Sequence, residues 1–177
     1  FTSVQGLFRT TSLDAVIECG ATSKRSQAVI HAFEESIPTH FEKPIANSWT
    51  HAKALLPIVL ENPEYFSFGF NRRFEDISES AKLILEKATA GFDCLRITSR
   101  DFMPPKQPYR GQGANFLMDT GSHDFDLARY LSKGRFQSVS ARTSYFGTGQ
   151  TGDSLRIISK VLLVCKNGST VEIDVSR

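Results

Sequence analysis

MDTGSHDFDLARYL, residues 118–131, is the stretch around which the rest of the chain arranges itself. Phe125, Ala128 and Leu131 recur at steps of three, the spacing of one helical face. Gly134, just beyond, is a natural helix stop. Asp119 and His123 lie four residues apart. If the helix begins by Asp119 they share a face, about 6 Å apart along the axis. A carboxylate and an imidazole then stand side by side near a helix N-terminus. Imidazole titrates close to neutral pH, which suits it to proton transfer. From spacing alone the pair reads either as such a device or as a solvated polar first turn.

Upstream, the chain reads as alternating strand and helix. Residues 13–19 form a short apolar run of buried-strand type, and residues 24–36 a helix with Val29, Ala32 and Phe33 inward. Residues 38–41 form a second strand. Strand, helix, strand over this length predicts a parallel βαβ unit. Residues 48–60 predict another helix, capped by Ser48, with Trp49, Ala52, Leu56 and Val59 inward and a kink or early stop at Pro57. Residues 65–70 are strand-like. Asp76 and Glu79 have capping-box spacing ahead of a helix to residue 90. Its core face is expected at Ile77, Ala81, Ile84 and Ala88. Residues 94–99 are a strand and residues 102–113 an irregular loop.

Downstream of Gly134 the period becomes two. Val139, Ala141, Thr143 and Tyr145 alternate with polar residues, and residues 147–153 are a glycine-rich loop, expected to be mobile. Residues 155–166 and 169–176 predict two strands joined at Asn167-Gly168, a strong hairpin signal. The fold class expected is therefore α/β, parallel sheet first and largely antiparallel open sheet after. The division falls near Phe74, giving residues 1–74 and 75–177.

Composition narrows the function. The 177 residues carry a net charge of +2 without a long basic run, so the electrostatic signature of nucleic-acid binding is absent. No apolar run reaches the length of a membrane span and no signal peptide is visible. Cys19, Cys94 and Cys165 are scattered and without metal spacing, which predicts reduced core thiols in a cytoplasmic protein and no metal centre.

HFEKPIANS (40–48), with Glu42-Lys43-Pro44 after a short strand, precedes FNRRF (70–74) and SRD (99–101). With MDTGSHD they stand in an order and at separations by which the chain resembles the Gfo/Idh/MocA oxidoreductases, most of all the inositol 2-dehydrogenases. The resemblance covers nearly the whole chain. It implies a Rossmann-type sheet followed by an α+β domain that binds substrate and pairs subunits through its sheet. It implies a soluble NAD- or NADP-dependent dehydrogenase of a cyclic polyol or sugar, working as a homo-oligomer without nucleic acid or membrane.

Resemblance also implies roles. Lys43 would contact substrate and cofactor, beside a proline peptide that is commonly cis. His123 would take the hydroxyl proton, and Asp119 would bind substrate hydroxyls. Thr22, Ser23 and Glu42 would lie near the cofactor, although Ser23-Lys24-Arg25-Ser26 departs from the family's usual stretch there. Arg72, Arg100 and Asp101 are further candidates for substrate, and from the residues alone they read equally as surface ion-pair partners. Lys43, likewise, reads from the residues alone as an exposed lysine.

No G-x-G-x-x-G turn occurs in the sequence, and no such strand opens it. The chain begins where the second half of a dinucleotide fold would begin, and it reads as a fragment with weak dinucleotide affinity on its own. A second expectation therefore stands beside the dehydrogenase: a non-catalytic sugar-binding or assembly domain.

Overall fold

The structure, a computed structural model, describes residues 3–10, 12–88, 91–101, 116–146 and 156–177. The loops expected at 102–113 and 147–153 lie outside the described residues. Two compact units form: Phe1–Phe70 with Lys106–Asp119, and Asn71–Pro105 with Thr120–Arg177.

The first unit opens with helix α1 (Val4–Thr10), too short to show a clear period in the sequence. Strand β1 (Val16–Glu18), helix α2 (Thr22–Glu34) and strand β2 (Thr39–Phe41) then make the expected parallel unit, with Ile17 opposite His40. Helix α3 (Trp49–Glu61) leads to strand β3 (Phe66–Phe68), parallel to β2. The sheet order is β1-β2-β3. Its core holds Ala28, Val29, Ala32, Ile37, Phe41, Leu55 and Phe66. The Phe41 ring lies 6.1 Å from Phe66 and 5.9 Å from Phe68, one aromatic row across two strands.

Helix boundaries in this unit follow the sequence closely; helix faces do so only in part. Ser48 caps α3 as expected, accepting the His51 N–H, and Pro57 sits inside a helix that continues past it. But Trp49 is 72% exposed and Leu56 is exposed, while Leu55 is buried. An α3 that is apolar on several sides meets the sheet with the stripe of Leu55, Ile58 and Val59. In α2, Val29 and Ala32 are buried as expected, with Ala28 beside them, but Phe33 is exposed.

The second unit begins with a 3-10 turn (Asn71–Phe74) and helix α4 (Asp76–Lys87). Its cap is Glu75, not Asp76. The Glu75 carbonyl accepts the N–H groups of Ser78 and Glu79, so the helix starts one residue early and no side chain caps it. The expected core face is also displaced: Ile77 is 75% exposed and Ile84 is exposed, while Ser78 is buried. The reason lies in helix α6 (Gly121–Ser132), which α4 meets through the Ser78 side. Lys82 sits 4.3 Å over the Tyr130 ring, and Glu86 pairs with Lys133 at 2.6 Å. The Lys133 ammonium hydrogen-bonds the Glu86 carboxylate and holds its pKa below the ordinary value. That contribution to stability is present at neutral pH and is lost as pH falls through the lowered value.

Strand β4 (Cys94–Arg100), short helix α5 (Phe116–Asp119, at the end of the first unit), α6, and strands β5 (Phe136–Phe146), β6 (Arg156–Cys165) and β7 (Thr170–Ser176) complete the order. The sheet runs β4-β7-β6-β5, parallel only between β4 and β7. Gly168, at φ +89°, makes the hairpin turn predicted at Asn167-Gly168. Alternate residues of β7, Val171, Ile173 and Val175, are buried with Ile97, Val161, Leu163, Ala128 and Leu131. β5 is a strand as expected, but its burial does not alternate, and Val139 and Tyr145 are exposed. Cys19 and Cys94 are exposed as well, so only Cys165 of the three thiols is a core residue. No helix among the described residues is long and apolar enough to cross a membrane.

Candidate functional site

The first group of polar side chains gathers at the carboxyl ends of β1 and β2. The Glu42 N–H donates to the Glu18 carbonyl at 3.0 Å, and the Gly69 N–H to the Phe41 carbonyl at 2.8 Å, so ladder bonds extend past the strand ends. Glu42, Lys43 and Pro44 leave the sheet there, and the Lys43-Pro44 peptide is cis. Gly69 lies close beside this segment, and a Cβ on it would be 2.8 Å from Glu42 Oε1, so the Glu42 side chain would have to swing aside. Lys43 Nζ donates to the Asp119 carbonyl at 2.8 Å and to Asp119 Oδ1 at 3.0 Å. The Lys43 side chain is 14% exposed, so it is no free surface lysine. Two of the expected site residues, 76 positions apart, are thus brought together.

Arg25 was not singled out by the sequence, yet it is 2% exposed. Its Nε donates to Glu18 Oε2 at 2.6 Å, one terminal nitrogen to the Pro44 carbonyl at 2.7 Å and Thr22 Oγ1 at 3.3 Å, and the other to the Gly20 carbonyl at 2.7 Å. Thr22 therefore opens α2 with its hydroxyl turned to Arg25, and Ser23 is exposed beside it. The signal that could have found Arg25 is its position. Arg25, Ala28, Val29 and Ala32 follow the i, i+3, i+4, i+7 pattern of one buried stripe.

In the second unit His123 is the third residue of α6. The helix expected from Asp119 onward is instead divided: Asp119 ends α5, Thr120 stands between, and α6 starts at Gly121. The left-handed stop is Lys133, at φ +50°, rather than Gly134, whose added Cβ would lie 3.4 Å from Cys165 Sγ. Asp124, next to His123, is 0% exposed. Its Oδ1 accepts from Arg72 and from Ser99 Oγ at 2.7 Å, and Arg72 also donates to Ser99 at 3.1 Å. Asp124 Oδ2 is buried without a hydrogen-bond partner among the described residues. This triangle ties the first turn of α6 to β4 and to the 3-10 turn. Gly121, Asp124, Ala128 and Leu131 again form one buried stripe with an ionised residue in it.

The other expected residues separate. Arg72 is engaged by Asp124. Asp101 accepts from Thr120 Oγ1 at 3.3 Å and from an Arg177 terminal nitrogen at 2.8 Å. Arg100 projects to the sheet face opposite Ser99, where it donates to Asp174 Oδ1 at 3.1 Å. Arg73 donates to Asp126, and that hydrogen bond raises its pKa beyond the ordinary guanidinium value. Among the described residues no group of His, Cys, Asp and Glu could hold a metal ion.

Residues 92–177 match the family model of the GFO/IDH/MocA C-terminal domain, as the motifs at 40–48, 70–74, 99–101 and 118–131 led one to expect. The chain belongs to the Gfo/Idh/MocA family. The Gfo/Idh/MocA likeness extends through the first unit. Over 173 residues the chain is 30% identical to the myo-inositol 2-dehydrogenase of Thermotoga maritima, spanning 97% of this chain and 52% of that protein. It is 32% identical over 130 residues to the scyllo-inositol 2-dehydrogenase (NAD(+)) of Bacillus subtilis, 72% of this chain and 38% of that protein. A solved structure described as "probable dehydrogenase from Thermotoga maritima" superposes with a TM-score of 0.84 at 30% identity, over 100% of this chain and 54% of that one. The chain spans about half the length of the curated relatives it matches. The Rossmann-type parallel sheet followed by a mixed, largely antiparallel sheet is the architecture of this family.

Proposed function

We propose that the protein is an NAD(P)-dependent dehydrogenase that oxidises a secondary hydroxyl of a cyclic polyol of the inositol class. Residues 1–74 belong in this reading to a dinucleotide-binding domain and residues 75–177 to a substrate-binding and assembly domain. The observation that carries it is the Lys43 ammonium, held by the Asp119 carbonyl and carboxylate at the carboxyl end of β2. Open α/β sheets hold their ligands at the carboxyl ends of the strands. The names of the relatives supply the substrate class.

The residues present suit a dinucleotide. Thr22 and Ser23 follow β1, Glu42 and Lys43 follow β2, and together they offer hydroxyls, an ammonium and the N–H groups of the first turn of α2. The nicotinamide, when bound, supplies the hydride acceptor. Lys43 donates a hydrogen bond to the reacting hydroxyl and steadies the charge that develops on its oxygen. His123 takes the hydroxyl proton on its imidazole. Asp119 orients Lys43 and accepts hydrogen bonds from neighbouring substrate hydroxyls.

The test uses the whole protein that carries this chain, assayed for reduced nicotinamide with myo-inositol and scyllo-inositol and with each cofactor. Polyol-dependent reduction is expected. Tight polyol binding without turnover under any combination would instead select the sugar-binding reading.

The same reading includes assembly through the β4-β7-β6-β5 sheet. Its outer face carries Arg96 against Glu172 at 2.6 Å, and Arg100 and Lys160 against Asp174 at 3.1 and 3.9 Å. The hydrogen bond to Glu172 raises the Arg96 pKa beyond its ordinary value. Rows of both signs on one face complement themselves across a two-fold axis. A dimer or tetramer is expected in sedimentation at micromolar concentration, and a monomer would count against this surface.

A further inference from the structure

We propose that Arg25 is a positioning residue, which sets the loops after β1 and β2 through one buried guanidinium and so fixes the place of Lys43. The proposal rests on the reading of Lys43 as the group that meets the substrate hydroxyl.

Two loops end on this side chain. The Gly20 carbonyl and Thr22 Oγ1 belong to the loop after β1, and the Pro44 carbonyl to the loop after β2. Glu18 completes the tie. Its Oε2 takes Arg25 Nε at 2.6 Å, its Oε1 accepts the Gly20 N–H at 2.8 Å, and its carbonyl accepts the Glu42 N–H at 3.0 Å. The carboxylate folds back over Gly20 so closely that a Cβ there would lie 2.8 Å from Oε1.

Stability alone does not account for such a residue. A buried ion pair is commonly no better for folding than apolar side chains of the same volume. What apolar side chains cannot do is hold two loop carbonyls and a hydroxyl at fixed directions. The planar guanidinium can, because its donors diverge in one rigid fork; an ammonium on a flexible stem cannot reach the same acceptors together. Pro44 follows Lys43 directly. Anchoring its carbonyl sets where the lysine stem leaves the backbone, and therefore where Nζ arrives beside Asp119.

The test compares wild type with Arg25→Met, Arg25→Lys and the double variant Glu18→Gln/Arg25→Met. The double variant removes both charges together and so leaves no lone buried charge to prevent folding. The first readout is acetylation of Lys43 relative to exposed Lys53, followed by mass spectrometry on the folded protein. It needs no activity. Lys43 is expected to label slowly in wild type, where its side chain is largely enclosed. Its labelling is expected to rise toward that of Lys53 in Arg25→Met and in the double variant, with little recovery in Arg25→Lys. The second readout is kinetic. Misplacing a group by an ångström costs about 10²-fold in rate, so kcat should fall on that order while the KM for polyol changes little. Folded variants with wild-type Lys43 labelling would overturn the proposal, whatever their melting temperatures. Absence of turnover in the wild type would defeat the dehydrogenase reading alone, since the labelling still decides the part played by Arg25.

Discussion

His123→Ala is expected to lower turnover by about 10²–10⁴-fold, the usual worth of a positioned acid or base. The imidazole sits in the first turn of α6, where the carboxylate of the next residue, Asp124, is tied to Arg72 and Ser99. Removal of the ring takes away the proton acceptor and leaves unchanged the buried residues of α6, Gly121, Asp124, Ala128 and Leu131. Melting temperature should therefore stay near wild type. Cofactor affinity should also hold, since the imidazole serves the substrate hydroxyl rather than the dinucleotide. Steady-state kinetics with myo-inositol, together with cofactor fluorescence titration, separate these quantities. Turnover close to wild type in this variant would leave His123 as part of a polar helix turn and would remove the acid/base from the proposed mechanism.

The second large effect falls on stability. Arg72→Met should cost about 3 kcal/mol, the lower end of the range for breaking a buried ion pair, because water reaches the Arg72 side of it. The carboxylate left behind is fully enclosed, with Ser99 as its remaining partner in the triangle. Arg72→Met combined with Asp124→Asn should recover part of the loss, because the amide carries no charge to bury. Arg73→Met is the internal comparison. Arg73 pairs with Asp126 and is more exposed than Arg72, so its loss should cost less. Urea unfolding of the four proteins measures all three differences. Equal costs for Arg72→Met and Arg73→Met would show that the Asp124 triangle does not hold α6. Loosening of that turn should reach His123 as well, so the Arg72 variant ought to lose turnover beyond what its unfolded fraction explains.

Several elements were legible in the chain because their determinants are local. The parallel unit β1-α2-β2, the Ser48 cap, the Asn167-Gly168 hairpin and the alternation of β7 each follow from periods or turn residues within a dozen positions. The motif at 118–131 and the tripeptide Glu42-Lys43-Pro44 were visible for the same reason. Helix α1 was missed, since its seven residues, with Val4, Leu7 and Phe8 apolar, are too few to establish a period.

Tertiary structure decided which faces are inside and which polar groups are held. A helical stripe states that α3 and α4 have apolar sides; it does not state which side meets a partner. Leu55 is buried and Trp49 is not, and Ser78 is buried while Ile77 is not. Ionised residues were harder still, since a charge on a helix is ordinarily solvated. Arg25 and Asp124 escape that rule only because acceptors and donors arrive from elsewhere: Pro44, 19 positions from Arg25, and Arg72, 52 positions from Asp124. Desolvating a charge is unfavourable until its partners are in place. The chain can therefore determine by itself where its helices and strands form and which motifs they carry. Which charges may be buried depends on partners that only the folded molecule brings together.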